Sequence, residues 1–266
     1  MYDRYSRNIN YLRISVTDRC NLRCKYCMPE KGVKSLKHED ILSFEEIVSF
    51  TKIAVVNGID KVRITGGEPL VRKNIVHLIQ LLANIDGIKD LSLTTNGILL
   101  TEFAKPLKNA GLQRVNISLD TVDPDRYREI TRIGDFNRVM QGIAAAEMAG
   151  LFPIKINCVV NKSSDEADAL GVKAFCKSRK CNVRFIHQMN LKTGEYAPVE
   201  GGTGGNCNIC NKLRLSSDGN LRPCLFNDLS FNVRKLGAEK AIQMAIEAKP
   251  ECGTKSVQNR FNVIGG

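Results

Sequence analysis

Short β-branched or apolar runs alternate with amphipathic stretches along the first 187 residues of the chain. The runs at 12–17, 61–65, 90–94, 114–119, 154–160 and 183–187 have strand character. Helix signals stand between them. Ser43-Phe-Glu-Glu46 is a capping box, and it predicts a helix towards Val56 that Gly58 stops. Residues 74–85 carry apolar positions at helical spacing and end before Gly87. Thr101, Asp123-Pro124 and Asp135 are predicted caps of later helices, and Gly111 and Gly150 predicted stops.

Six such alternations predict parallel βα units with right-handed crossovers, in an α/β fold of partial (βα)6 TIM-like barrel form. Sites in these sheets lie on the loops after the strands' carboxyl ends. The loops after the first four strands hold Cys20, Cys24 and Cys27; then Gly66-Gly67-Glu68-Pro69; then Thr95-Asn96-Gly97; then Asp120-Thr121. All four therefore fall on one face. After His187 the rhythm stops. A glycine-rich segment, 190–206, leads to Cys207, Cys210 and Cys224, a helical stretch at 235–248 and a terminal Gly265-Gly266. The expected division is a barrel over 1–189 and a small C-terminal domain over 190–266.

With 266 residues, 43% of them hydrophobic, the chain can build one large core. It has no run of eighteen apolar residues to span a membrane and no apolar leader at Met1, so a cytoplasmic protein is expected. Ten cysteines do not imply disulfides in a chain of this kind; Cys158, Cys176 and Cys181 read as small core hydrophobes. The charge of +11 favours an anionic partner, and no RNA-binding module stands out.

The first three cysteines follow C-x3-C-x2-C. Three thiolates holding a [4Fe–4S] cluster leave one iron open, and S-adenosylmethionine (SAM) can chelate that iron through its amino and carboxylate groups. A structural zinc site needs four closed ligands, and the nearest fourth candidate is His38 across a charged linker. The iron–sulfur reading is preferred. Simple alternation places Arg13 and Arg63 on the solvent face of their strands. Met189 alone reads as core filler, and 94–97 as a strand end and turn.

The stretches 12–30, 61–72, 94–97, 116–120 and 155–157, with the second cysteine triplet, resemble the GTP 3′,8-cyclase family of radical-SAM enzymes. The resemblance covers nearly the whole chain. It implies that Cys20, Cys24 and Cys27 hold the SAM-binding cluster, and that Cys207, Cys210 and Cys224 hold a second [4Fe–4S] cluster. Tyr26, Gly67, Glu68, Ser118 and Met189 match SAM-contacting positions; Arg13, Arg63, Thr94, Lys155 and Arg184 match positions around GTP. Lys212 and Arg214 stand where the guanine-side and phosphate-side basic residues lie, and with Arg13 they are the candidate catalytic residues. The implied reaction is the first step of molybdenum cofactor synthesis. A flavodoxin- or ferredoxin-type reductant and a pyranopterin-forming enzyme downstream are implied partners. The double-glycine tail is similar to one that reaches the active site, either in cis or across a homodimer.

Three features depart from that pattern. The 190–206 connection is short, which predicts a more open cavity. Lys212 replaces an arginine and cannot offer its planar fork. Cys252 either closes the second cage with a fourth thiolate, making that cluster an electron relay, or remains a free thiol. The alternative function is a paralogue acting on a peptide or another nucleotide.

Overall fold

The computed structural model describes residues 1–265; Gly266, half of the expected tail, lies outside the described residues. In chain order the elements are β1 (Tyr11–Ser15), α1 (Phe44–Val56), β2 (Lys61–Thr65), α2 (Ile75–Ala83), β3 (Asp90–Thr95), α3 (Leu100–Asn109), β4 (Arg114–Ser118), α4 (Pro124–Thr131), α5 (Phe136–Met148), β5 (Lys155–Val160), α6 (Ala167–Arg179) and β6 (Asn182–His187). Then follow β7 (Lys212–Leu215), β8 (Asn220–Arg222), β9 (Phe231–Asn232), α7 (Val233–Leu236), α8 (Ala238–Glu247) and α9 (Phe261–Ile264). No helix among the described residues is long and apolar enough to cross a membrane.

The sheet order is β6-β5-β4-β3-β2-β1-β7-β8-β9, parallel from β6 to β7 and antiparallel beyond. This is the six-unit parallel architecture expected of a partial barrel. Residues after 190 extend the same sheet at its β1 edge, where β7 pairs in parallel with β1.

The strand pattern is largely an alternation, broken at Val159 and Ile186. Leu12, Ile14, Val62, Ile64, Val115, Ile117, Ile156 and Cys158 are fully buried under the surrounding helices. Each such aliphatic contributes about 1.5–3 kcal/mol by leaving water. The residues between them point to the concave side, where the functional cavities lie.

Local signals account for most boundaries. Ser43 accepts from the Glu46 amide while Glu46 accepts from Ser43, closing the expected capping box on α1. Asp123 and Asp135 cap α4 and α5. Thr101 is not a cap: α3 begins at Leu100, one residue earlier, behind Gly97, whose φ of +86° and the Asn96 side chain bonded to the Ile98 amide set the entry. The expected 235–248 helix divides at Gly237, whose φ of +78° no helix accommodates.

At Gly142, on α5, a Cβ would stand 2.1 Å from the Gly97 carbonyl oxygen, in the loop after β3. Backbone cannot yield there as a flexible side chain can. Gly142→Ala is therefore expected to lower stability by about 1–3 kcal/mol through overpacking, read as a shifted denaturant midpoint. An unchanged midpoint would show that α3 and α5 can separate freely.

Candidate functional site

Cys20, Cys24 and Cys27 lie half-buried on the loop after β1 and line one cavity with Gly66, Gly67, Glu68, Asn96, Ser118 and Met189. The loop is fastened to its neighbour by backbone bonds, Gly67 N to Thr17 O at 2.7 Å and Glu68 N to Arg19 O at 2.8 Å. A Cβ on Gly67 would meet Arg19 O at 2.4 Å, so this approach requires glycine. The Cys24 carbonyl accepts from the Cys27 and Met28 amides, folding the triplet into a tight turn.

Burial pushes the Cys20 thiol up to about 11 and Cys24 to about 12, and raises Cys27. Three thiols converging on one cavity, with Arg23 the smallest influence on Cys20, favour a positively charged occupant that would ionise them. No group of three His, Cys, Asp or Glu among the described residues is arranged to hold a single metal ion. Thiolates of a cluster each bind a different iron and stand further apart than ligands of one ion. The donor set fits a cluster.

Glu68 is buried, with its carboxylate accepting from Leu70 N, Thr95 Oγ1 and Asn96 N at 3.0, 2.8 and 2.7 Å. It thus ties the loop after β2 to the loop after β3. Burial pushes it up to about 7, against the three donors, which favour the ion. Tyr26 Oη donates to Asp120 Oδ2 at 2.8 Å, fixing the triplet to the loop after β4. Burial raises Tyr26, and it raises Asp120 to about 6.

The second cavity is lined by basic residues. Arg214, Arg13, Arg63 and Ser92 are register partners across β7, β1, β2 and β3. One layer up, Thr94, Asn116 and Lys155 align, and above them Ser118, Asn157 and Arg184. Arg13 and Arg63 are only 8% and 7% exposed, which corrects their expected solvent face. The sheet curls, so its polar face encloses a lumen. Burial lowers Arg13, Arg63, Arg184 and Arg214, and takes Lys155 and Lys212 to about 8; for all but Arg214, repulsion from neighbouring cations adds to it. Arg63 and Lys212 lie over the Tyr11 ring at 5.2 and 5.9 Å, a partial compensation. Thr94 Oγ1, Asn116 Nδ2, Asn157 Oδ1 and Tyr11 Oη are buried without a hydrogen-bond partner. Cations gathered beside orphaned polar atoms fit a polar, anionic occupant.

Cys207, Cys210 and Cys224 line this same cavity beside Arg13, Lys212 and Arg214. Against the upward push of burial, Lys249, the Lys212 amide and the Lys212 and Arg214 charges hold Cys210 below the usual thiol value. Burial raises Cys224. Tyr196 Oη lies 3.2 Å from Cys207 Sγ, and Cys207 also raises the neighbouring, exposed Cys252 thiol. The glycine run 202–205 forms part of the wall.

Asn157, Ile186 and Met189 line both cavities, so the two are adjacent and share a wall. Thr94, expected beside GTP, lines the cysteine-loop side, and Lys155, on the same strand face as Asn157, lines neither cavity but lies in the field of Arg184, Arg114 and Arg63. Tyr11, Lys61, Arg114 and Asn157 belong to the wall and went unflagged in the sequence. Their signal was parity: each shares a strand face with a flagged residue. The tail also docks within the chain, with Phe261 and Asn262 lining the first cavity and the Gly265 carbonyl accepting from Arg214 at 3.1 Å.

The profile of the Radical SAM superfamily matches residues 14–175. The GTP 3′,8-cyclase of Thermodesulfovibrio yellowstonii is 43% identical over 282 aligned positions, covering 89% of this chain and 88% of that protein. That of Moorella thermoacetica is 42% identical over 297 positions, covering 94% and 92%. Both alignments exceed the 266 residues of the chain, so these relatives carry segments it lacks. Among solved structures, Streptococcus suis SuiB bound to S-adenosylmethionine superposes with a TM-score of 0.63 at 17% identity, over 92% of this chain and 65% of that one. Native anSMEcpe with bound AdoMet gives 0.56 at 22% identity, over 70% and 54%. At such identities the structures show the fold alone.

Glu68→Gln places an amide NH2 where backbone N–H groups already point. It is expected to cost about 1–3 kcal/mol from an unsatisfied buried donor, and to weaken SAM binding because two site loops lose their tie. Thermal unfolding and anaerobic equilibrium dialysis read the two effects. Parent-like values in both would refute the tie.

Proposed function

Because the chain belongs to the radical SAM superfamily and, within it, to the GTP 3′,8-cyclase family, we propose that it converts GTP to 3′,8-cyclo-7,8-dihydro-GTP at the start of molybdenum cofactor synthesis. The observation that carries this reading is the shared wall. A three-cysteine cavity shares Asn157, Ile186 and Met189 with a lumen lined with cations and orphaned polar atoms.

The superfamily implies a [4Fe–4S] cluster and SAM, which Cys20, Cys24 and Cys27, with Tyr26, Gly67, Glu68, Ser118 and Met189, would hold. When bound, they supply a 5′-deoxyadenosyl radical able to take hydrogen from a ribose carbon. Cys207, Cys210 and Cys224 would hold a second [4Fe–4S] cluster towards the guanine. The chain's own work is binding and orientation. Arg13, Arg63, Lys155, Arg184 and Arg214 supply charge-assisted hydrogen bonds to the triphosphate, while Thr94 contacts the nucleoside. Arg13 and Lys212 are the candidate proton donors. The in-chain tail covers the lumen between Thr65 and Arg214 and keeps water from a reactive intermediate. A flavodoxin- or ferredoxin-type reductant, a pyranopterin-forming enzyme downstream and a cytoplasmic location complete the reading. Peptide or other nucleotide chemistry is the weaker alternative, since relatives at 40–43% identity are cyclases.

Anaerobic incubation with SAM, dithionite and GTP, followed by mass analysis, tests the assignment. Cyclised nucleotide and GTP-dependent 5′-deoxyadenosine are expected; SAM cleavage that returns GTP intact would overturn it. Arg184→Ala is expected to weaken GTP binding about tenfold or more, the loss of a hydrogen bond between charged groups at 1.5–3 kcal/mol. Lys155 bears on pH dependence. Its folded value near 8 lies below the free lysine value, so its positive charge is present below pH 8 and fades above. GTP affinity should fall between pH 7 and pH 9 in the parent and fall less in Lys155→Arg. Equal slopes in calorimetric titrations would exclude a Lys155 contact.

A further inference from the structure

Lys249 is the largest fully buried side chain among the described residues, at 2% exposure. It follows α8, far in sequence from either cysteine triplet. Its ammonium donates to the Lys212 carbonyl at 2.8 Å and to the Pro223 carbonyl at 2.7 Å. Lys212 lies two residues beyond Cys210, and Pro223 immediately precedes Cys224. One ammonium thus clips together the segment that leads from Cys210 into β7 and the segment that leads from β8 to Cys224. The charges that act on it are Cys210, Cys224 and Arg7. Arg7 is itself paired with Asp3 at 2.7 Å. Lys249 has the thiols instead.

A clip between two carbonyls needs donors but no net charge. A buried ammonium without a carboxylate partner is costly unless anionic groups stand beside it. We propose that Lys249 is a positioning residue for the second iron–sulfur cluster, holding Cys210 and Cys224 in place and supplying a fixed positive charge that raises that cluster's reduction potential. The inference rests on the two-cluster reading above. Hydrogen bonds to the sulfurs and nearby charge are established levers on such potentials. A positive charge favours the reduced, more negative cluster, so its removal lowers the midpoint.

The test uses the full-length chain with Cys20, Cys24 and Cys27 replaced by alanine, so that only the second cluster is observed. Lys249→Gln keeps amide donors for the two carbonyls and removes the charge; Lys249→Arg keeps the charge. Iron content, far-UV circular dichroism and an EPR-monitored redox titration are measured after anaerobic reconstitution. The expected result is a folded Gln variant whose midpoint is lower than the parent's, or which fails to assemble the cluster, with the Arg variant near the parent. A Gln variant titrating at the parent midpoint overturns the proposal. So does an Arg variant shifted as far as Gln. If the triple-alanine parent binds no iron, the two-cluster reading fails and takes this inference with it, an outcome distinct from an unshifted midpoint.

Discussion

The burial of like charge on the concave face of a parallel sheet governs this molecule. Arg13, Arg63 and Arg214 stand side by side on adjacent strands, with Arg184 on the sixth strand facing the same space. Within that wall Asp90 is the carboxylate present, and it is already engaged by Arg114 at 2.6 Å. An array of this kind opposes folding, because each guanidinium loses water and repels its neighbours. The apolar reverse of the same strands must therefore hold the sheet together, and an anion is what relieves the strain on its front.

That division of labour depends on strand alternation. Leu12 and Ile14 pack under the helices while Arg13 between them faces the lumen, and the same holds for Val62, Arg63 and Ile64. A one-residue slip in any strand would exchange the two faces. Fold and substrate pocket are thus written on the same short segments, which couples stability to function.

Each cysteine loop lines one of the two adjoining cavities. The first is fixed by backbone bonds from Thr17 and Arg19 to the Gly67–Glu68 segment and by the bond from Tyr26 to Asp120. The second is held by long-range contacts, with Arg7 donating to the Cys207 carbonyl and Lys249 spanning the segments of Cys210 and Cys224. The tail docks between them, its Gly265 carbonyl on Arg214. Residues distant in sequence meet here because the C-terminal strands add to the β1 edge instead of folding away from it.

The sequence alone determined what depends on local chemistry. Strand positions followed from β-branched runs, the start of α1 from Ser43 and Glu46, and the loop chemistry from cysteine spacing and Gly66-Gly67. Thr101 misled, because a helix entry set by Gly97 and Asn96 depends on backbone geometry that a hydroxyl in the first turn does not reveal. The sense of alternation at Arg13 and Arg63 was legible, but its environment was not: whether a polar face meets water or an enclosed cavity depends on the curl of the whole sheet. The role of Lys249 was invisible for the same reason. Only tertiary structure brings its ammonium to carbonyls 37 and 26 residues away, and only there does its charge acquire neighbours.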